Sequence, residues 1–457
     1  MIYSNNLLYS YNDLTIVPAE ISNIKSRSEC NPFISGTEFD HNGMLPIFAS
    51  PMATITNEWN IEIWKQNKIM PILPRNIGAA EKIETRIQNV SEFIKRGEWV
   101  ALSLKEFEYL FATEKEEDEP TVKVDGKKQG LKLHTFELKK GETYRICVDL
   151  ANGHMKSLYE TINKAKALSR KRGYTLIVMT GNIANPDTYK WICRYAEVDY
   201  IRISIGTGNN CITSTQTAIH YPIASLIEQC YRIKLQISET TNEIAEKRHI
   251  DTKYYVKSQF NTECCMSRPM IVADGGIRGY ADVIKALALG ADYVMIGSLF
   301  TGLLESAAPL IIESYNSYYK YSFSQGTVND GIQNILNIWC YYGKDGAAPY
   351  APEGWAPDAF EKRKRDFIKD MKEITKESYG MSTKKAQAMI NPYAKTKTSE
   401  GCTKYIKVKE TVKQWTENMC DYLRSAMSYT DRPNLHEFIG KPKLVVNSSC
   451  AILAVNK

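Results

Sequence analysis

Eight short apolar runs recur along the chain, at residues 45–49, 69–73, 99–104, 145–149, 176–180, 200–204, 269–273 and 293–296. They are near-continuously apolar rather than alternating, as strands are when both faces are covered. Stretches with helical period lie between them, at 155–171, 187–196 and 280–289. Buried strands alternating with helices form a parallel sheet. Eight such units predict an α/β chain closed as a (β/α)8 TIM barrel. A doubly wound open sheet is the alternative. No GxGxxG follows the first run, which weakens a dinucleotide-binding reading of that sheet.

The 457 residues exceed most single cores, but a barrel with insertions reaches this size as one domain. The chain is therefore read as a single catalytic domain over 1–457. Two regions break the rhythm. Residues 107–143 carry the acidic run Glu114-Lys115-Glu116-Glu117-Asp118-Glu119, which reads as a solvated loop or hairpin. Residues 307–375 hold aromatic-rich helix candidates and a charged helix over 360–376, an excursion or small subdomain.

Other classes are set aside by composition. The formal charge of +6 comes without a basic block, so nucleic-acid binding is not expected. No window of ~18 apolar residues predicts a membrane span. The first eleven residues lack a signal-peptide layout. Eleven scattered cysteines, with only Cys264 and Cys265 adjacent, favour reduced thiols in a cytoplasm over disulfides or a zinc cage.

The chemistry is expected in the loops after the runs. Ile203 to Ser214 ends an apolar run in Gly206 and Gly208, then presents Cys211 and Thr213. Glycines let backbone approach a ligand, and a cysteine there can act as a nucleophile once ionised. After the seventh and eighth runs come Asp274-Gly275-Gly276 and Gly297-Ser298. In barrels these two loops commonly cradle phosphate, and Asp274 suits ribose hydroxyls. Thr213 needs a base, and Glu305 or Glu400 could serve; spacing does not choose between them.

These residues resemble the IMP dehydrogenase/GMP reductase family over most of the chain. The segments 11–18, Ala49-Ser50-Pro51-Met52, 148–154, Thr180-Gly181-Asn182-Ile183, 206–213 and 274–276 are similar to family motifs in order. The resemblance implies a barrel assembled as a homotetramer, acting on a purine nucleotide monophosphate. It implies Cys211 as the nucleophile toward the purine C2 carbon. Carbonyls of Gly206, Gly208 and Cys211 would hold a monovalent cation, potassium in many members. Ser50, Met52, Asp274, Gly275, Gly276, Gly297 and Ser298 would hold ribose and phosphate. Gly380, Met381 and Ser382 would meet the base, with Ser399 and Gly401 also on the nucleotide side. Asp149, Leu150, Ala151 and Asn182 would lie near the nicotinamide.

The resemblance is closest to the reductase branch. The segment 75–99 is too short for the CBS modules of most dehydrogenases. The expected mobile flap, about 379–401, has no arginine for the water-activating Arg-Tyr pair of that branch. The reductase pattern pairs Glu400, not Glu305, with Thr213. It implies NADPH-dependent deamination of GMP to IMP through a covalent Cys211 intermediate. The alternatives are an NAD-dependent IMP dehydrogenase, a non-catalytic nucleotide-binding relative, and a modified guanine nucleotide as substrate. Ser214 and Lys397 stand where the pattern has arginine, and Asn209 where it has serine. The insertions 107–143 and 307–375 have no counterpart in it.

Overall fold

A computed structural model describes residues 7–35, 41–113, 121–124, 127–130, 136–248, 268–312, 374–391 and 395–448. The acidic run and nearly all of the second excursion lie outside them. Eight parallel strands close into a barrel in sequence order: β1 Ile47–Ala49, β2 Met70–Leu73, β3 Trp99–Leu102, β4 Thr143–Asp149, β5 Thr175–Ile183, β6 Tyr200–Ile203, β7 Met270–Asp274 and β8 Tyr293–Ile296. Strand β8 pairs with β1, Val294 opposite Ile47, so no edge is left open. The eight expected strands are all present. Five of them are buried at every residue, because one face fills the barrel and the other meets helices.

The helices that cover the barrel are α1 Ile61–Gln66, α2 Ile83–Lys95, α3 Leu104–Phe107, α4 Lys156–Arg172, α5 Pro186–Tyr195, α6 Ile223–Arg248, α7 Tyr280–Ala288 and α8 Val412–Tyr429. Helix α4 ends at Gly173 in the left-handed region, the usual C-terminal stop. Helix α8 packs beside α7, with Trp415 stacked on Tyr280 at 5.4 Å and edge-on to Phe300 at 4.7 Å. It belongs to the eighth unit, although more than a hundred residues separate it from β8.

The stretch 107–143 does not leave the barrel at its first residue. Phe107, Leu110, Phe111 and Ala112 are buried in the core, and only then does the chain run into the antiparallel pair Thr121–Val124 and Lys127–Gly130. Of the charged helix expected over 360–376, the last three residues instead begin a strand, Ile374–Tyr379. The rest lies outside the described residues.

One end of the barrel is plugged. Phe48, Trp99, Tyr200 and Tyr293 pack mutually with ring centroids 5.2 to 6.0 Å apart, and Trp99 Nε1 donates to His41 Nε2 at 3.1 Å. Trp99, Tyr200 and Tyr293 are the first residues of their strands, so this plug lies at the N-terminal end. The loops that follow the strands gather at the other end.

Over that end lies a three-stranded antiparallel sheet of Leu310–Ile312, Ile374–Tyr379 and Thr403–Lys407. Tyr379 pairs with Thr403, so residues 380–402 form the connection between two strands. Lys376 pins this sheet to the loop after β8. Its buried ammonium donates to Leu304 O at 2.8 Å, Ser306 O at 2.6 Å and Ser306 Oγ at 2.9 Å. Among the described residues no helix is long and apolar enough to cross a membrane.

Candidate active site

A cavity of about 900 Å³ opens at the C-terminal ends of the strands. Ser50 and Met52 reach it after β1, Asp149 with Leu150 and Ala151 at β4, and Asn182 within β5. Asp274, Gly275 and Gly276 line it from β7, and Gly297 and Ser298 from β8. Gly206, Gly208, Cys211 and Thr213 line it from the loop after β6; Gly380, Met381, Ser382 and Glu400 come from the overlying connection. Two expected residues do not face it. Gly401 forms a backbone bridge with Cys211, and the Ser399 hydroxyl turns back to Gly401 O at 2.8 Å.

The loop after β6 is built by contact with that connection. Ile212 N–H donates to Glu400 O, and Cys402 N–H donates to Asn210 O, both at 2.9 Å. Asn210 Nδ2 also donates to Ser378 Oγ at 2.6 Å. Gly380 is glycine for a steric reason: a Cβ there would stand 2.9 Å from Asn210 O. These backbone bonds align three side chains. Cys211 Sγ donates to Thr213 Oγ1 at 3.1 Å, and Thr213 Oγ1 donates to Glu400 Oε2 at 2.8 Å. Thiol, hydroxyl and carboxylate thus form a continuous proton path at the cavity wall.

Glu305 is elsewhere. It is buried, and its Oε2 accepts Val412 N–H at 2.9 Å at the start of α8. It also lies near enough to Lys376 to favour that ammonium.

Cys211 is more exposed than most of the described cysteines. Of the described cysteines only Cys211 and Cys402 are half-buried, and none is in a disulfide. Burial pushes the Cys147 thiol up to about 12, with Arg202 partly opposing the rise. Such a thiol is inert at neutral pH.

The phosphate-type loops converge on the loop after β6. Gly275 has φ +121°, and a Cβ would stand 2.5 Å from Thr207 Oγ1. Only glycine holds both that backbone and that approach.

Sequence reasoning missed Arg202. It lies within β6, buried, between two carboxylates. Nη1 donates to Asp149 Oδ1 at 2.7 Å, while Nε and Nη2 reach Asp274 Oδ2 at 2.9 and 2.8 Å. Burial opposes its charge, but Asp274, Cys147 and Asp149 more than offset this, and its pKa stands well above normal. Asn182 Nδ2 also donates to Asp274 Oδ2, at 2.7 Å. Arg202 therefore locks the side expected to meet nicotinamide to the side expected to meet ribose. The signal was a lone arginine in an otherwise buried strand, where charge persists only when paired.

Arg75 was missed too. It lines the cavity after β2, and among the described residues its buried Nε has no hydrogen-bond partner. Gln387 closes the overlying connection on itself: Nε2 donates to Ser382 O at 2.8 Å, and Oε1 accepts Lys397 N–H at 2.6 Å.

Of the carbonyls of Gly206, Gly208 and Cys211 assigned by resemblance to a monovalent cation, two already accept bonds within the protein. Gly206 O accepts the Ser214 hydroxyl at 3.1 Å, and Gly208 O accepts Cys211 N–H at 2.9 Å.

Comparison with known proteins agrees with this architecture. A curated protein named GMP reductase from Helicobacter pylori (strain ATCC 700392 / 26695) is 28% identical over 341 residues, covering 73% of this chain and 83% of that protein. One from Bacillus subtilis (strain 168) is 25% identical over 329 residues, covering 71% and 80%. One from Streptococcus suis (strain 05ZYH33) is 25% identical over 326 residues, covering 70% and 78%. The family model for the IMP dehydrogenase / GMP reductase domain matches residues 8–244 and 258–354, and the chain belongs to that family.

Proposed function

We propose that this protein is a GMP reductase, converting GMP, NADPH and a proton to IMP, ammonia and NADP⁺. The observation that carries the reading is the Cys211–Thr213–Glu400 chain of hydrogen bonds at the cavity wall. A thiol next to a hydroxyl–carboxylate pair can lose its proton, attack carbon, and have a proton returned to a leaving amine.

The Cys211 sulfur bonds to C2 of the purine. Thr213, backed by Glu400, delivers a proton to the exocyclic nitrogen; the C–N bond breaks and ammonia leaves. The purine stays attached to sulfur. When bound, the nicotinamide supplies hydride to C2. The C–S bond then breaks and Cys211 is free again. Asp274, with Oδ2 held by Arg202 and Asn182, presents its carboxylate to ribose hydroxyls. Gly275, Gly276, Gly297 and Ser298 offer backbone donors to phosphate. Asp149, Leu150, Ala151 and Asn182 flank the nicotinamide, and the unpartnered Nε of Arg75 suits an anionic group of the dinucleotide.

The absence of arginine from 379–401 favours the reductase branch, since nothing there replaces the Arg-Tyr water activator. On this reading the enzyme is a cytoplasmic homotetramer, and light scattering on the purified chain tests the assembly. The activity is tested by following reduced-cofactor absorbance in two reactions. Absorbance should fall with GMP plus NADPH and stay flat with IMP plus NAD. The opposite pattern makes the protein an IMP dehydrogenase; GMP binding with neither reaction makes it a non-catalytic relative.

A further inference from the structure

The loop that carries Cys211 has four carbonyls that each accept a bond from the protein. Three acceptors are Gly206, bonded by the Ser214 hydroxyl at 3.1 Å, Gly208, by Cys211 N–H at 2.9 Å, and Asn210, by Cys402 N–H at 2.9 Å. The fourth, Asn209 O, accepts from the Lys404 ammonium at 2.7 Å, and the same ammonium reaches Asn209 Oδ1 at 3.0 Å. A carbonyl cradle binds a monovalent ion by turning several backbone oxygens toward one point charge. Here the compact Lys404 ammonium, with three donors, sits on Asn209 alone, and the other three carbonyls are bonded by other donors of the protein.

We propose that Lys404, with Ser214, replaces a monovalent metal ion as the organiser of the Cys211 loop, so that the protein works without potassium. Two departures from the family pattern supply the parts. Asn209 adds the side-chain oxygen that makes the Lys404 contact double, and Ser214 adds the hydroxyl on Gly206 O. Lys404 stands four residues after Glu400 on the strand Thr403–Lys407, so the segment that delivers the carboxylate to Thr213 also delivers the ammonium. A tethered cation competes with free ions at a high effective concentration. A second cation on this loop would also meet like charge. Lys404 touches no reacting atom and is a positioning residue.

The inference rests on Cys211 as the nucleophile, and its test has one readout that needs no substrate. The full chain is placed in tetramethylammonium chloride or potassium chloride at equal ionic strength. The rate of iodoacetamide alkylation at Cys211 is read by peptide mass, and turnover is followed with GMP and NADPH. Both rates should agree between the salts within about twofold. Lys404→Met should lower kcat by about tenfold with a smaller change in KM, as expected for losing a charge-assisted bond. Its alkylation rate should become sensitive to potassium, and Lys404→Arg should recover part of the loss. Activation of the unaltered protein by potassium of more than about fivefold overturns the proposal. So does a Lys404→Met protein that matches the unaltered one in both readouts. If GMP and NADPH give no turnover, the functional reading fails while the alkylation rates still decide this one.

Discussion

The hydroxyl of Thr213 donates to Oε2 of Glu400 at 2.8 Å across 187 residues of sequence. The contact exists because Ile212 N–H and Cys402 N–H clip the two segments together on either side of Cys211. It separates two glutamates that are chemically alike. Glu400→Gln keeps the shape and removes the base, so kcat should fall by about 10²–10⁴-fold with little change in melting temperature. Glu305→Gln instead weakens the acceptor for Val412 N–H and removes the carboxylate near buried Lys376. It should lower stability by roughly 1–3 kcal/mol in urea unfolding and spare kcat. If the two variants exchange these effects, the assignment of the base is wrong.

Cys211→Ala should abolish turnover but leave GMP binding near that of the unaltered protein, measured by calorimetry. The sulfur is needed for the covalent step, not for holding ribose or phosphate. Iodoacetamide at about pH 8 should label Cys211 and leave Cys147 unlabelled, since burial holds Cys147 as a neutral thiol. Appreciable deamination by the Cys211→Ala protein would end the covalent reading.

Arg202→Met should be among the most damaging single changes in the barrel. It leaves Asp149 and Asp274 facing each other across a buried gap without their shared cation. Removing one partner of a buried ionic cluster costs about 3–5 kcal/mol. Arg202→Lys restores charge but not the fork that reaches both carboxylates, so it should recover only part of the stability. Urea midpoints for the two variants check this, and an Arg202→Met protein as stable as its parent would contradict it.

The barrel was legible because its strands are buried on both faces and so form unbroken apolar runs. Gly275 was legible as part of a glycine pair after a strand-like run, whereas Gly380 came only with the resemblance; the structure shows that a Cβ would collide with neighbouring atoms at both. The eighth helix was not legible as such. Val412–Tyr429 has a clear apolar face, but a long excursion separates it from β8, and local pattern does not say which strand a helix covers. Nor did local pattern show that α3 runs on through a π-helical turn, Glu108–Ala112, so that Phe107 and Phe111 are both buried, since the acidic run just beyond them dominates that window. The pairing of Thr213 with Glu400 over Glu305 needed either a resemblance or the fold. Both glutamates lie far from Thr213 in sequence, and only the antiparallel sheet brings one of them back.

Lys376 supplies a prediction about pH. Burial lowers its pKa to about 7, with Glu305 opposing the fall, whereas in the unfolded chain it should titrate near the ordinary value of about 10.4. Between those values the unfolded chain holds a proton that the folded chain has released. Stability therefore rises with pH across that window, and this contribution is lost as pH falls toward 7. Lys376→Met removes the titrating group and should flatten that part of the curve, although it also loses the bonds to Leu304 and Ser306 that pin the overlying sheet. Urea midpoints of both proteins from about pH 6.5 to 9.5 give the comparison. The difference between parent and variant, not either curve alone, isolates Lys376, because other groups titrate in both. A difference that stays flat across the window would show that the three oxygens around Nζ hold the ammonium charged in the folded protein, as it is in the unfolded chain.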